Sequence, residues 1–114
     1  MRVIIAGSRS ITNYADVCNA VSLSGFDITT VVSGTANGVD QLGELYAKNN
    51  NIKIDRYPAD WTTHGKKAGF LRNVQMSENC DAVIVVWDGF SKGSLHMINI
   101  AKRKKLLLYI HELK

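Results

Sequence analysis

Long apolar runs are the first thing this sequence lacks. None approaches the ~18 residues that a membrane-spanning helix needs, so no membrane partner is expected. Proline occurs once, at Pro58, and there is no proline-, serine- or glycine-rich stretch among the 114 residues. A low-complexity linker is therefore excluded, and nothing marks a seam between two domains. Cysteine occurs twice, at Cys18 and Cys80, outside any paired-ligand motif. Both read as reduced, buried thiols. The three histidines, His64, His96 and His111, share no metal-ligand spacing with one another or with the cysteines, so no metal site is expected. The dinucleotide fingerprint GxGxxG and the phosphate loop GxxxxGK[ST] are both missing. No cofactor is expected.

What is present is an ordinary globular composition, 46% hydrophobic and 21% charged, with a formal net charge of +4. A chain of this length buries roughly two-thirds of its unfolded surface, enough for one core. The mild positive excess suits an anionic ligand but falls short of a nucleic-acid footprint. The densest basic run, Lys102-Arg103-Lys104-Lys105, falls where a helix should end, and cations there complement the exposed carbonyls. The apolar run at residues 3–6 is too short for the core of a secretory signal and reads as a buried strand. The chain is expected to be cytoplasmic.

Short, β-branched apolar runs at residues 3–6, 28–32, 52–57, 82–86 and 106–110 read as five strands. Near-continuous hydrophobicity is what strands covered on both faces require, which implies a parallel sheet. Amphipathic stretches separate them. Residues 13–23 set Tyr14, Val17, Cys18 and Val21 on one face, and 38–49 set Val39, Leu42 and Tyr46 on another. Residues 66–79 carry Phe70, Leu71 and Val74, and 93–103 carry Leu95, Ile98 and Ala101 beside Met97 and Ile100. All four stripes read as core faces. Asn37 or Ser91 is suited to cap the helix it precedes. Strict alternation of strand and helix predicts one α/β domain over 1–114, a Rossmann-like, doubly wound, parallel five-stranded sheet of order 3-2-1-4-5. The longest connection runs over 58–66, and long loops in small domains often carry function.

In such a sheet ligands bind beyond the carboxyl ends of the strands where the strand order reverses, here between the first and fourth strands. Three strand ends carry glycine together with hydroxyl residues: Gly7-Ser8-Arg9-Ser10, then Ser33-Gly34-Thr35 leading to Gly38 and Asp40, then Asp88-Gly89-Phe90-Ser91-Lys92-Gly93-Ser94. Glycine lets backbone N–H groups approach an anion, and the helix that follows adds partial positive charge. Any one such turn is common; three together outline a phosphate- or ribose-lined crevice. Arg9 is the natural anion partner, because a guanidinium donates two parallel hydrogen bonds to phosphate. Asp40 and Asp88 either hydrogen-bond ribose or order their own loops. Arg72 and Asn73 can reach the crevice from one side. Trp61 and Trp87 are open to base stacking, packing or subunit contact, and His96 to proton transfer or a structural role.

Together with Tyr57-Pro58-Ala59-Asp60-Trp61 and Gly69-x-x-Arg72-Asn73, these motifs resemble the YspA-like family of the SLOG superfamily, from about Arg2 to Ile110. The resemblance implies binding of a nucleotide-derived small molecule, ADP-ribose-like or a sugar-phosphate nucleotide, and a homo-oligomer, dimer or tetramer. Relatives in the superfamily include phosphoribohydrolases and a DNA-processing protein. The hydrolases carry Gly-Gly-x-Gly-Thr-x-x-Glu after their fourth strand. The matching stretch here runs Lys92-Gly93-Ser94-Leu95-His96-Met97, with Met97 where the glutamate would stand. A thioether moves no proton, so no catalytic residue is assigned and the sequence leans away from an enzyme. The leading expectation is a sensor or sequestering module. Hydrolysis of a nucleotide N-glycosidic bond, with Asp40, Asp88 or His96 taking the glutamate's place, is the first alternative. Single-stranded DNA binding is the second, and nucleic acid is the less expected partner.

Overall fold

A computed structural model describes residues 1–113. Five parallel strands form one sheet: β1 (Arg2–Gly7), β2 (Thr30–Ser33), β3 (Lys53–Arg56), β4 (Ala82–Trp87) and β5 (Leu107–Glu112). Their order is β3-β2-β1-β4-β5, as the alternation predicts. The helices are α1 (Tyr14–Ser24), α2 (Val39–Asn49), the single-turn α3 (Trp61–His64), α4 (Ala68–Ser77) and α5 (Lys92–Arg103), with a 3₁₀ turn at Gly65–Lys67 before α4. No helix among the described residues is long and apolar enough to cross a membrane.

Side chains of β1 alternate between two cores, as a pleated strand requires. Val3 and Ile5 face one way and pack with Val17, Ala20 and Val21 of α1 and with Val39 and Ala47 of α2. Ile4 and Ala6 face the other way and pack with Met76 of α4 and with Met97, Ile98 and Ala101 of α5. In β4, Ile84 and Val86 share the first layer, and Val83 and Val85 the second. Both strands are buried on both faces, which explains why they read as unbroken apolar runs. Their register, Val3 beside Ala82 through Gly7 beside Val86, brings both carboxyl ends to one level.

Helix α4 departs from its expected face. Phe70, Leu71 and Val74 are exposed, and Ala68, Asn73, Met76 and Ser77 are buried instead. The polar Asn73 turns inward because α5 supplies partners for it. Its Nδ2 donates to the Gly93 carbonyl at 3.4 Å and lies 3.3 Å from His96 Nδ1. Leu95 of α5 is likewise exposed rather than core. The 58–66 connection is largely helical: Asp60 Oδ1 caps α3 by accepting from Thr63 N. Ser91 caps α5 through Ser94 N. Asn37 does not cap α2, whose N-cap is Gly38; the Asn37 Oδ1 accepts from Gln41 Nε2. Cys18 and Cys80 are free thiols, but half-buried rather than fully enclosed.

Candidate functional site

A crevice of about 410 Å³ opens beyond the carboxyl ends of β1 and β4, at the point where the strand order reverses. Its buried base is thioether and methyl, from Met76, Met97 and Ala6. Exposed Trp61 and Phe70 stand along one side. The loop after β1, the start of α4 and the N-terminus of α5 contribute the polar lining.

Two close backbone approaches set the shape. A methyl group on Gly7 would sit 1.9 Å from the Val86 carbonyl oxygen, where β1 and β4 run side by side. One on Gly38 would sit 2.5 Å from the Ser8 carbonyl oxygen, and Gly38 holds φ +78°, a conformation side chains rarely adopt. Only glycine lets the loop after β2 press against the loop after β1. The backbone then ties them together, Val39 N donating to the Ser8 carbonyl at 3.4 Å.

Side chains fix the loops themselves. Buried Ser8 accepts from Asp88 N through its Oγ, at 3.0 Å. Asp88 Oδ1 accepts from the backbone of Phe90 (2.8 Å) and Ser91 (2.9 Å), and its Oδ2 from Ser10 Oγ (3.2 Å). These donors hold the Asp88 carboxyl below its usual range, the backbone N–H groups of Phe90 and Ser91 first. Asp88 organises its own loop, each of its carboxylate oxygens holding at least one donor of the protein. Ser33 is fully buried, donating to Glu44 Oε2 at 2.7 Å and accepting from Thr35 N at 3.1 Å. Glu44 in turn takes Arg56 Nε at 2.8 Å. This network keeps Thr35 at φ +64°, a strained setting for a β-branched residue.

The charged lining comes from Arg9, Lys66, Arg72, Asp40 and Asp88. Arg72 is clamped: Nη1 donates to the Gly34 carbonyl, and Nε donates to Asn73 Oδ1 at 3.1 Å. Arg9 is exposed and makes no hydrogen bond or ion pair within the described residues. Asp40 is 5% exposed, and its Oδ2 accepts from Ala36 N at 3.1 Å. Burial pushes its carboxyl up to about 6, despite the Ala36 N–H and the opposing charges of Arg72 and Arg9. His96 lies outside the lining, edge-on to the Phe70 ring at 4.5 Å, with its pKa lowered by burial and by Arg103. Trp87 Nε1 donates to the Ser91 carbonyl at 3.1 Å and its ring packs in the core, away from the opening.

Of the residues singled out in the sequence, the fold brings Gly7, Arg9, Asp40, Arg72, Asn73, Asp88, Ser91, Gly93 and Ser94 to the crevice wall. Ser8, Ser33, Gly34, Thr35, Gly38 and Gly89 are not in its lining, and Thr35 lines a separate hollow with Gln41, Glu44 and Arg56. Sequence reasoning missed Lys66 and Met76. The only signal for Lys66 was its place at the end of the longest connection, and Met76 carried none beyond its apolarity.

The first 64 residues match the model of the "YspA, cpYpsA-related SLOG family". Gene 61 protein of Mycobacterium phage D29 is 32% identical over 112 residues, covering 90% of this chain and 89% of that protein. The X-ray structure of DNA processing protein A (DprA) from Streptococcus pneumoniae superposes with a TM-score of 0.76 at 19% identity. That match covers 96% of this chain but 49% of the other, so this chain spans about half its length.

Proposed function

The chain belongs to the YspA, cpYpsA-related SLOG family, and on that premise we propose that its crevice binds a nucleotide-derived small molecule. The whole chain is then one ligand-binding domain, acting in the cytoplasm as a sensor or sequestering module. The observation that carries this reading is the lining itself. Three cationic side chains, Arg9, Lys66 and Arg72, share one crevice with an apolar base and two exposed aromatic rings. Cations take phosphate, and apolar and aromatic surfaces take a base or sugar face. The ligand is ADP-ribose-like or a sugar-phosphate nucleotide. A thermal-shift screen against AMP, ADP-ribose, cyclic ADP-ribose isomers and NAD, read alongside native mass spectrometry, tests it. A bound ligand recovered intact supports the reading; no shift with any of them counts against it.

A second reading is hydrolysis of a nucleotide N-glycosidic bond, and Asp40 is what favours it. A buried carboxyl titrating at about 6 beside the crevice is suited to proton transfer near neutral pH. In that reaction water adds to the anomeric carbon and the base leaves with a proton from Asp40. Recovery of free base and ribose phosphate from the same experiment identifies this outcome. Single-stranded DNA is disfavoured because the crevice gathers three of the chain's 14 Lys and Arg residues. DNA binding predicts affinity that falls steeply with salt. The exposed Phe70, Leu71 and Val74 suit a homo-oligomer, dimer or tetramer. A monomer mass in light scattering at micromolar concentration overturns that part.

A further inference from the structure

We infer that Asp40 selects ligands carrying a sugar diol, its free carboxylate oxygen accepting a hydroxyl while Arg72 holds the adjoining anion; this rests on the nucleotide-ligand reading above. The two oxygens of Asp40 are not equivalent. Oδ2 accepts from Ala36 N. Oδ1 has no hydrogen-bond partner within the described residues. Yet no side-chain nitrogen or oxygen that is fully sealed from solvent lacks a partner there. Oδ1 therefore keeps an opening, and Asp40 lines the crevice. A carboxylate this deeply buried pays a desolvation penalty that a ligand donor relieves.

Arg72 is the mirror case. Nε and Nη1 are committed to Asn73 and Gly34, and Nη2 has no partner within the described residues, although the side chain lines the crevice. The two groups flank the same backbone point. A methyl group on Gly34 would stand 2.7 Å from Asp40 Oδ2 and 2.9 Å from Arg72 Nη1. The committed atoms Oδ2 and Nη1 thus approach one point, which brings together the two side chains that also carry the unpartnered Oδ1 and Nη2. Elsewhere in the lining, both oxygens of the Asp88 carboxylate already have a partner, Oδ1 in Phe90 and Ser91 and Oδ2 in Ser10. Asp40 is thus the one carboxylate on the wall with an oxygen to spare, among the described residues. A phosphorylated ribose supplies what the pair needs, hydroxyl donors a few ångströms from an anion. A nucleotide without its sugar hydroxyls satisfies the arginine and leaves the buried carboxylate unpaired.

The test compares AMP with 2′,3′-dideoxy-AMP on the intact protein by calorimetry, with ADP-ribose as a second diol-bearing probe. Loss of a hydrogen bond to a buried charged acceptor predicts that wild-type protein binds AMP about 10- to 100-fold more tightly than the dideoxy analogue. Asp40→Asn, which is isosteric, should shrink that ratio to about threefold or less by replacing the charged acceptor. Because the main comparison uses unaltered protein, a poorly folded variant does not spoil it. Equal affinity of wild type for AMP and its dideoxy analogue overturns the inference while the nucleotide reading stands. So does a ratio that survives in Asp40→Asn. Binding of neither AMP nor ADP-ribose overturns both.

Discussion

Arg72 Nη1 donates to the carbonyl oxygen of Gly34, joining α4 to the loop after β2 across 38 residues of sequence. The same guanidinium is braced from its own helix by Asn73, which in turn reaches the Gly93 carbonyl at the start of α5. Three strand-end segments that are remote in sequence are thereby fixed relative to one another. A planar guanidinium can serve two acceptors in different directions at once; an ammonium group at the end of a flexible stem cannot hold that fork.

Arg72→Lys should therefore behave as a disruptive change. It should cost about 1–3 kcal/mol in urea unfolding, because the Gly34 carbonyl or the Asn73 amide oxygen loses its donor. Ligand affinity should fall at least about tenfold, since the fixed cation is lost with the loop geometry.

Arg9→Ala should separate binding from stability. The side chain is exposed and unpaired among the described residues, so unfolding should shift by less than about 0.5 kcal/mol. Affinity for a phosphorylated ligand should nevertheless drop about tenfold or more. A calorimetric titration beside a thermal melt reads both. An unchanged affinity removes Arg9 from the site.

Asp40 should give the ligand-free protein a distinctive pH dependence. Its carboxyl is raised from 3.8 to about 6 by burial, so between those values the folded state binds more protons than the unfolded state. Its contribution to stability is fully present below about pH 3.8 and is lost as pH rises through 6. The loss is on the order of 2–3 kcal/mol. Asp40→Asn should abolish this component. Denaturant unfolding should show the variant gaining on wild type as pH goes from 4 to 7; parallel profiles would falsify the assignment.

Gly38→Ala should be strongly destabilising, by roughly 1–3 kcal/mol for the backbone conformation alone, with the contact to the Ser8 carbonyl added. Thermal denaturation reads the loss directly. Hydrogen exchange should locate it in the loops after β1 and β2 before the rest of the sheet.

Thr35→Gly should move stability the other way. Relief of a left-handed β-branched residue is worth about 1–2 kcal/mol, partly offset by the greater freedom of glycine when unfolded. A net gain of about 0.5 kcal/mol is expected, with ligand affinity unchanged or lower as the loop loosens.

The architecture was legible in the sequence because β1 and β4 announce themselves. A strand covered on both faces must be apolar at every position, and residues 3–6 and 82–86 are. With helices between the strands, right-handed crossovers leave few topologies, and the order 3-2-1-4-5 found in the structure is one of them. The strand-end glycines were equally readable, and with them the place of the crevice. The sequence could not assign duties within those motifs. Ser33 and Asp88 look like ligand groups by type, but both are engaged within the protein, Ser33 by Glu44 and Asp88 by the Phe90–Ser91 backbone.

Nor could periodicity orient α4, because Phe70, Leu71 and Val74 form a perfectly good apolar stripe. Only the presence of α5 decides that Asn73 and Met76 turn inward instead. Sequence pattern thus determined that β1 and β4 are the buried strands, whereas β3 and β5, at the sheet edges, are only half-buried. The tertiary structure decided that, among the described residues, Asp40 Oδ1, Arg72 Nη2 and the Arg9 guanidinium are left without a partner at the crevice. A hydrogen bond is a pairwise contact between residues up to 80 positions apart, and no local pattern encodes which partner is within 3 Å.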